Sequence, residues 1–416
     1  MKILFITQWF QPEPFVNGLP FAKQLVSRGH DVQVLTGFPN YPGGKVYNGY
    51  KIKMLQKEVV DGVSIIRVPL YPSHDRSAVR RILNYTSLAL SAATIGTWVI
   101  KPVDAVYVCH PPATMYLPAS VIRMIRRVPF LYNIQDLWPD ALASSGMVRN
   151  KAALWLADRF CRYFYRSADR VIAQSPGIKK ELCSRGIPSD KIEVIYNWCD
   201  DTQIKMVDKD PVLARELGFE NRFNILFAGG IGTGQALGAV LDAASILQNK
   251  CSEIQFVFIG TGIELDRLKQ KKENLGLNNV RFLARRPPSE ISAVLSLADI
   301  LLVHLKDNLL HEITIPSKTQ AYMAAGKPIL IGVKGDAADL VMQAKAGLKC
   351  EPENPQSIAE AALMLKNMSA SELAAMGENG RRFYNEHLSL EIGTRHYEKA
   401  FETIINEYCA RHKKHQ

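Results

Sequence analysis

The densest chemistry lies in His311-Glu312-Ile313-Thr314-Ile315-Pro316-Ser317-Lys318-Thr319-Gln320-Ala321-Tyr322. Pro316 suits the first turn of a helix and Gly326 its end. Ser317, Lys318 and Thr319 then stand at a helix N-terminus, where free N–H groups and the positive dipole end attract anions. With the Lys318 ammonium that arrangement suits a diphosphate, and Glu312 supplies a nearby carboxylate. A capped surface helix would explain any one of these residues, but not their coincidence ahead of Gly326-Lys327-Pro328. A second phosphate-suited segment is Phe227-Ala228-Gly229-Gly230-Ile231-Gly232-Thr233-Gly234-Gln235, with four glycines in six residues. It is not the GxGxxG of dinucleotide enzymes, and it stands mid-chain. Gly260-Thr261-Gly262 repeats the theme after the next strand. In the first half, Gly18 closes a loop after the opening strand, which alone signals no more than a tight turn. His110-Pro111-Pro112 and Gln135-Asp136-Leu137-Trp138-Pro139 end two further strands. Asp136 is the candidate general base. Trp138 suits stacking on a sugar face as well as it suits a core, and a lone His is more often structural than catalytic.

These residues need strands and helices to bring them together. Strands are expected at 2–7, 31–36, 63–68, 104–109, 129–134, 170–173 and 192–195, with a helix over 20–28 stopped by Gly29. A polar stretch, 197–211, reads as a linker. A second series follows at 223–227, 255–259, 280–283, 300–303 and 328–331, with helices over 237–248 and 355–367. Strand, loop, helix, strand in series gives parallel α/β sheets. The expectation is two Rossmann-like domains, 1–200 and 201–389, facing a central crevice, with a helix over about 390–416 packing back on the first.

The chain has 416 residues, too many for one ordinary core, and 22% charged residues, a globular composition. Its formal charge of +11 favours polyanionic partners without choosing among them. Seven cysteines, with no CxxC, argue against a disulfide framework or a zinc site. No metal is expected. The opening Lys2–Thr7 reads as a strand rather than a leader, and a reducing, cytoplasmic location follows. Residues 82–100 carry no charge and are flanked by Arg76, Arg80, Arg81 and Lys101. Asn84, Thr86, Ser87, Ser91, Thr94 and Thr97 make the stretch too polar to span a bilayer. Burial of its centre, with contact at a membrane face, is the expectation. The basic tail 411–416 should fray.

Taken together, several motifs resemble the family-4-type glycosyltransferases of GT-B fold over essentially the whole chain. They are the opening strand with its Pro12-Glu13 loop and Gly18, Leu25–Val32, Asp136-Leu137-Trp138-Pro139, Val194-Ile195-Tyr196-Asn197, Gly229–Gln235 and Ala324-Ala325-Gly326-Lys327-Pro328. Phe38-Pro39-Asn40-Tyr41-Pro42 and Ile315–Tyr322 further resemble a bacterial O-antigen and capsule subgroup that uses UDP-N-acetyl-L-fucosamine. The resemblance implies a nucleotide sugar on the C-terminal domain, held by Gly18, Gly230, Ile231, Gly232, Gln235, Gly260, Arg285, Ile315, Pro316, Ser317, Lys318 and Thr319. It implies an acceptor on the N-terminal domain, at Asn17, His110, Gln135 and Trp138. That acceptor would be an undecaprenyl-diphosphate-linked saccharide at the cytoplasmic face of the inner membrane, met by peripheral contact. Asp136, Glu312 and Lys318 are the catalytic candidates.

The chain departs from the family pattern. The family's two glutamates, eight residues apart, fall on Ile313 and Ala321, with Glu312 displaced by one. A family Lys falls on Gln235, which makes Lys318 the replacement cation, helped by Arg285 or Arg286. Two rivals are a UDP-GlcNAc epimerase of the same architecture and a nucleic-acid binder using the positive charge. The Asp136–Pro139 and Ile315–Tyr322 motifs disfavour the first. Scattered basic residues without a nucleic-acid motif disfavour the second.

Overall fold

The computed structural model describes every residue except 16, 75–76, 145–147, 149 and 414–416. The chain forms two compact units, Met1–Tyr196 with Gly393–Gln416, and Asn197–Ile392.

Unit 1 is built on eight strands: β1 Lys2–Ile6, β2 Asp31–Gly37, β3 Gln56–Val60, β4 Val63–Val68, β5 Ala105–His110, β6 Phe130–Ile134, β7 Arg170–Ala173 and β8 Ile192–Val194. Their order is β3-β4-β2-β1-β5-β6-β7-β8, parallel throughout except for β3 against β4. Ile3, Leu4, Phe5 and Ile6 are all buried, as are all six residues of β5. Such continuous apolar runs mark strands covered on both faces. β3 has no counterpart among the expected strands. Its residues alternate half-buried and exposed, so it carries no apolar run. The signal it did carry is Asp61-Gly62, both at positive φ (50° and 81°), the turn that closes a two-residue hairpin.

Unit 2 holds β9 Phe223–Ala228, β10 Ile254–Ile259, β11 Val280–Leu283, β12 Ile300–His304, β13 Ile329–Gly332 and β14 Gly347–Lys349, in the order β11-β10-β9-β12-β13-β14. All pairs are parallel. This is the doubly wound order, with the sheet's switch point between β9 and β12, where ligands bind beyond the strand ends.

One expectation needs correction. The stretch 197–211 is not a bare linker. Trp198 and Cys199 are buried, the Tyr384 hydroxyl bonds the Cys199 amide (3.3 Å) and the Asp201 carboxylate, and Asp201 also accepts from the Leu390 amide (3.3 Å). Its start is therefore packed inside unit 2. The centre of the uncharged stretch 82–100 is buried, at Leu88, Ala89, Ala92 and Ala93. Helix Ala78–Ser91 runs into a wide π turn, Ala92–Gly96, and a last turn, Thr97–Val99. Gly96 faces β2 so closely that a Cβ there would sit 2.5 Å from Leu35. Among the described residues, no helix is long and apolar enough to cross a membrane.

The last helix, Leu390–Lys413, belongs to unit 1 from Gly393 onward. Tyr397 meets the rings of Phe21 (4.8 Å) and Tyr107 (5.6 Å), and Glu398 accepts from Arg28 (2.8 Å) and His30 (2.7 Å).

Candidate active site

In unit 2 a cavity of about 560 Å³ opens beyond the C-terminal ends of β9 and β10. One wall is Ala228-Gly229-Gly230 and Ile259-Gly260-Thr261. Glycine is required here: a Cβ on Gly260 would lie 1.8 Å from the Gly229 carbonyl oxygen, and both residues have positive φ (152° and 145°). The backbone thus comes close to whatever fills the cavity. The opposite wall is the N-terminus of helix Ser317–Ala324, with Ser317 and Lys318 lining the space. Its base is fixed by Tyr322, whose hydroxyl accepts from the Ala228 amide at 2.9 Å and ties this helix to the glycine loop.

Lys318 is the cation of the site. Its Nζ donates to Gln235 Oε1 at 3.0 Å and lies 3.6 Å from the centre of the Phe227 ring. A neutral amide and an aromatic face are weak substitutes for an anion. Burial holds its pKa down at about 7, and among the described residues no carboxylate offsets that effect. Arg285 and Arg286 also line the cavity. Arg286 is 3.4 Å from Glu290 and 3.8 Å from Glu216, so part of its charge is already engaged. The cavity therefore gathers three cations and a helix N-terminus around a glycine-lined floor, a constellation that fits a diphosphate.

The structure brings Gly230, Gly260, Arg285, Ser317 and Lys318 together around this one space, with Gln235 holding Lys318. Other expected donor residues are placed differently. Ile231 and Ile315 are buried, leaving only their backbone groups available, and the Ile231 amide already bonds the Thr261 carbonyl (2.9 Å). Thr319 is fully buried and its amide is committed to the Pro316 carbonyl at 2.8 Å. Pro316 is the residue before the helix rather than within it. Gly232 faces a neighbouring recess with Lys271 and Glu264. Glu312 ends the short helix Leu309–Glu312 and does not line the Lys318 cavity. Its charge bears on Lys334.

The unit 1 candidates cluster at the ends of β5 and β6. The Gln135 amide donates to the His110 carbonyl (2.8 Å), and the Gln135 side chain donates to Asn133 Oδ1 (3.1 Å). His110 is wholly buried, with its ring 5.4 Å from Trp138, and burial holds its pKa near 3. The imidazole is therefore neutral, and it is enclosed by the rings of Trp138, Tyr132 and Tyr165. Asp136, next along the chain, reaches solvent, and shielding by surrounding protein raises its carboxyl above the usual range. Trp138 is half-buried and its carbonyl accepts from Arg185 (3.2 Å). Gly18 precedes helix Leu19–Ser27, its amide bonded to the Phe15 carbonyl (3.2 Å), and Asn17 is buried beside it. Among the described residues, no three His, Cys, Asp or Glu side chains form a metal-binding group.

Residues 19–198 match the family described as Glycosyl transferase 4-like domain, and residues 210–383 match Glycosyl transferases group 1. The putative colanic acid biosynthesis glycosyl transferase WcaI of Escherichia coli K12 is 26% identical over 346 residues, 78% of this chain and 82% of that protein. The N-acetyl-alpha-D-glucosaminyl L-malate synthase of Bacillus anthracis is 22% identical over 94% of each chain. This chain is a two-domain glycosyltransferase. Its fold is that of Anabaena HepE, crystallised in complex with UDP, at a TM-score of 0.68 and 17% identity over 97% of this chain and 100% of that one. An E. coli trehalose-6-phosphate structure bound with UDP-2-fluoro glucose superposes with a TM-score of 0.72 at 13% identity, covering 96% and 99% of the two chains. Both sheets of the glycosyltransferase are thus the Rossmann-like halves of a GT-B enzyme.

Sequence reasoning missed part of the cavity in this glycosyltransferase. Asp200, Gln203 and Ile204 line it, and all three fall in the stretch taken for a linker. A buried-type Trp198-Cys199 pair ahead of them was the available signal. Ile291 and Leu295 supply an apolar side that no motif marks.

Proposed function

We propose that this glycosyltransferase uses a UDP-sugar, with the donor diphosphate seated against Lys318, the start of helix Ser317–Ala324 and the Gly229-Gly230 loop. The observation that carries the reading is Lys318, a sunken ammonium that meets an amide and an aromatic ring, and no carboxylate among the described residues, as it lines a glycine-floored cavity. The UDP and UDP-sugar complexes of the two structural neighbours support the nucleotide. As the glycosidic bond breaks, negative charge grows on the leaving diphosphate. Fixed donors aimed at that charge lower the barrier most. Lys318 stands where it can stabilise this charge, and it takes the place of the Lys absent from position 235.

On the acceptor side, Asp136 is the residue to accept a hydroxyl proton. Its raised carboxyl is better matched to neutral pH than an ordinary aspartate. The acceptor we assign is an undecaprenyl-diphosphate-linked saccharide in the assembly of a bacterial surface polysaccharide. The name of WcaI supports that setting. The sugar we assign is N-acetyl-L-fucosamine, on the resemblance carried by Phe38–Pro42 and Ile315–Tyr322.

A mass-spectrometric donor screen tests this. Purified protein is mixed with a polyprenyl-diphosphate-linked N-acetylglucosamine and a panel of UDP-, GDP- and dTDP-sugars, with Lys318→Ala alongside. Transfer from UDP-N-acetyl-L-fucosamine, lost in the variant, is the expected result. Transfer from another nucleotide sugar would overturn the donor assignment. Conversion of a UDP-sugar to its epimer without transfer would overturn the acceptor half as well.

A further inference from the structure

Helix Lys151–Ser167 buries Cys161 and Tyr165 against unit 1 and turns Trp155, Phe160 and Tyr163 to solvent, between Arg159, Arg162 and Arg166. Trp155 is 63% exposed and Tyr163 61%, although the same helix has a buried side that could have taken them. Its neighbour, helix Tyr116–Arg126, is joined to it by Tyr116 stacked on Phe164 at 4.1 Å, and shows Leu117, Met124 and Ile125 outward. Helix Ala78–Ser91 and its continuation pack against Tyr116–Arg126 in turn. They expose Val79, Leu83, Leu90 and Trp98, the last at 73%. Right-handed crossovers from β4 to β5, β5 to β6 and β6 to β7 put all three helices on one face of the sheet.

Between these apolar residues lie Thr86 and Thr94. Their hydroxyls donate one turn back, to the Ile82 carbonyl (2.8 Å) and the Leu90 carbonyl (2.7 Å). Both threonines therefore meet an apolar phase with their hydrogen bonds already made, which removes the usual cost of such a contact. The charge on this part of the chain is one-sided. Residues 76–167 hold twelve Lys and Arg against four Asp and no Glu, and account for most of the +11 of the whole protein.

We infer that this three-helix face of unit 1 seats on an anionic lipid bilayer. Trp98, Trp155, Phe160 and Tyr163 enter the headgroup boundary, and Arg80 and Arg159 meet lipid phosphates; Arg162 is paired with Asp158 (2.6 Å) and Arg166 donates to the Gly186 carbonyl (3.3 Å), so these two add less. Aromatic rings interleaved with guanidinium groups suit that boundary, where one phase is apolar and the other wet and negative. Large apolar side chains exposed on three neighbouring helices are the kind of surface that marks a partner or a membrane. With no helix among the described residues able to span, the contact is peripheral. The inference does not depend on the identity of the donor or of the acceptor sugar.

The test is flotation of the full chain with phosphatidylcholine vesicles and with phosphatidylcholine–phosphatidylglycerol vesicles. Wild type should float with the anionic vesicles, less so at high salt, and not with phosphatidylcholine alone. Trp155→Ala/Phe160→Ala and Arg159→Glu should each weaken flotation by about tenfold or more, with UDP-sugar affinity and melting temperature unchanged, since these side chains are exposed. Bromine-labelled lipid should quench tryptophan emission in wild type, and quenching should fall in Trp98→Phe/Trp155→Phe. Flotation unaffected by the aromatic and arginine changes would overturn the proposal. So would absence of binding to anionic vesicles, or displacement from them by a single-stranded oligonucleotide bound through the same residues.

Discussion

If the Lys318 ammonium receives the donor diphosphate, binding must be coupled to a proton. Free Lys318 titrates at about 7 because it is sunk in the protein without an anion. Two unit charges 4 Å apart at an effective dielectric near 20 attract by about 4 kcal/mol, equivalent to ~3 pK units. A diphosphate seated there thus carries the Lys318 pKa from about 7 to ~10. The sign follows: the complex holds more protons than the free enzyme, so affinity is complete below the free pKa and is lost as pH rises through it. A UDP-sugar, whose diphosphate diester does not itself titrate in this range, should bind ~10-fold more weakly at pH 8 than at pH 6, taking up ~0.5 proton at pH 7. Isothermal titration calorimetry in two buffers of different ionisation enthalpy measures both quantities. Lys318→Arg, always charged, should flatten the pH dependence, and Lys318→Met should abolish the proton uptake and weaken binding at every pH. Wild-type affinity independent of pH from 6 to 8, or proton uptake surviving in Lys318→Met, would refute the assignment of the diphosphate to Lys318.

The same residue should cost stability while the site is empty: Lys318→Met should raise the melting temperature of the ligand-free protein at pH 6 by roughly 2–4 °C, the shift of about 1 kcal/mol in a unit this size, by calorimetry. Gly260→Ala places a Cβ 1.8 Å from the Gly229 carbonyl. It should cost roughly 3 kcal/mol or more and remove UDP-sugar binding, and a wild-type melting curve with wild-type affinity would contradict the packing described. Asp136→Asn should lower kcat by ~10²–10⁴ with donor affinity unchanged, and the acid limb of the wild-type kcat profile should lie above the ordinary aspartate range, given the direction of its shift. Tyr384→Phe strips the hydroxyl that Cys199 and Asp201 share. Urea unfolding should show a loss of about 1–3 kcal/mol.

Much of this protein is written locally. Ile3–Ile6, Ala105–His110 and Ile254–Ile259 are apolar runs bounded by loops, and a buried parallel strand needs little else to declare itself. The glycines at 229, 230 and 260 and the Pro316-Ser317-Lys318 helix start were also legible, because phosphate-facing turns demand residue types that few other places do. What needed the third dimension was proximity. Lys318 and Gln235 lie 83 residues apart, and only the β9–β12 switch point brings the ammonium to that amide. Asp200 and Gln203 looked like linker because polar residues without periodicity carry no sign of the cavity they line. The burial of His110 was not legible either, because the rings of Trp138, Tyr132 and Tyr165 that enclose it come from other parts of the chain. The outward row of Trp155, Phe160 and Tyr163 was invisible for a related reason. An amphipathic pattern fixes that a helix has two faces, but only its packing partners decide which face the core receives and which is left for water or lipid.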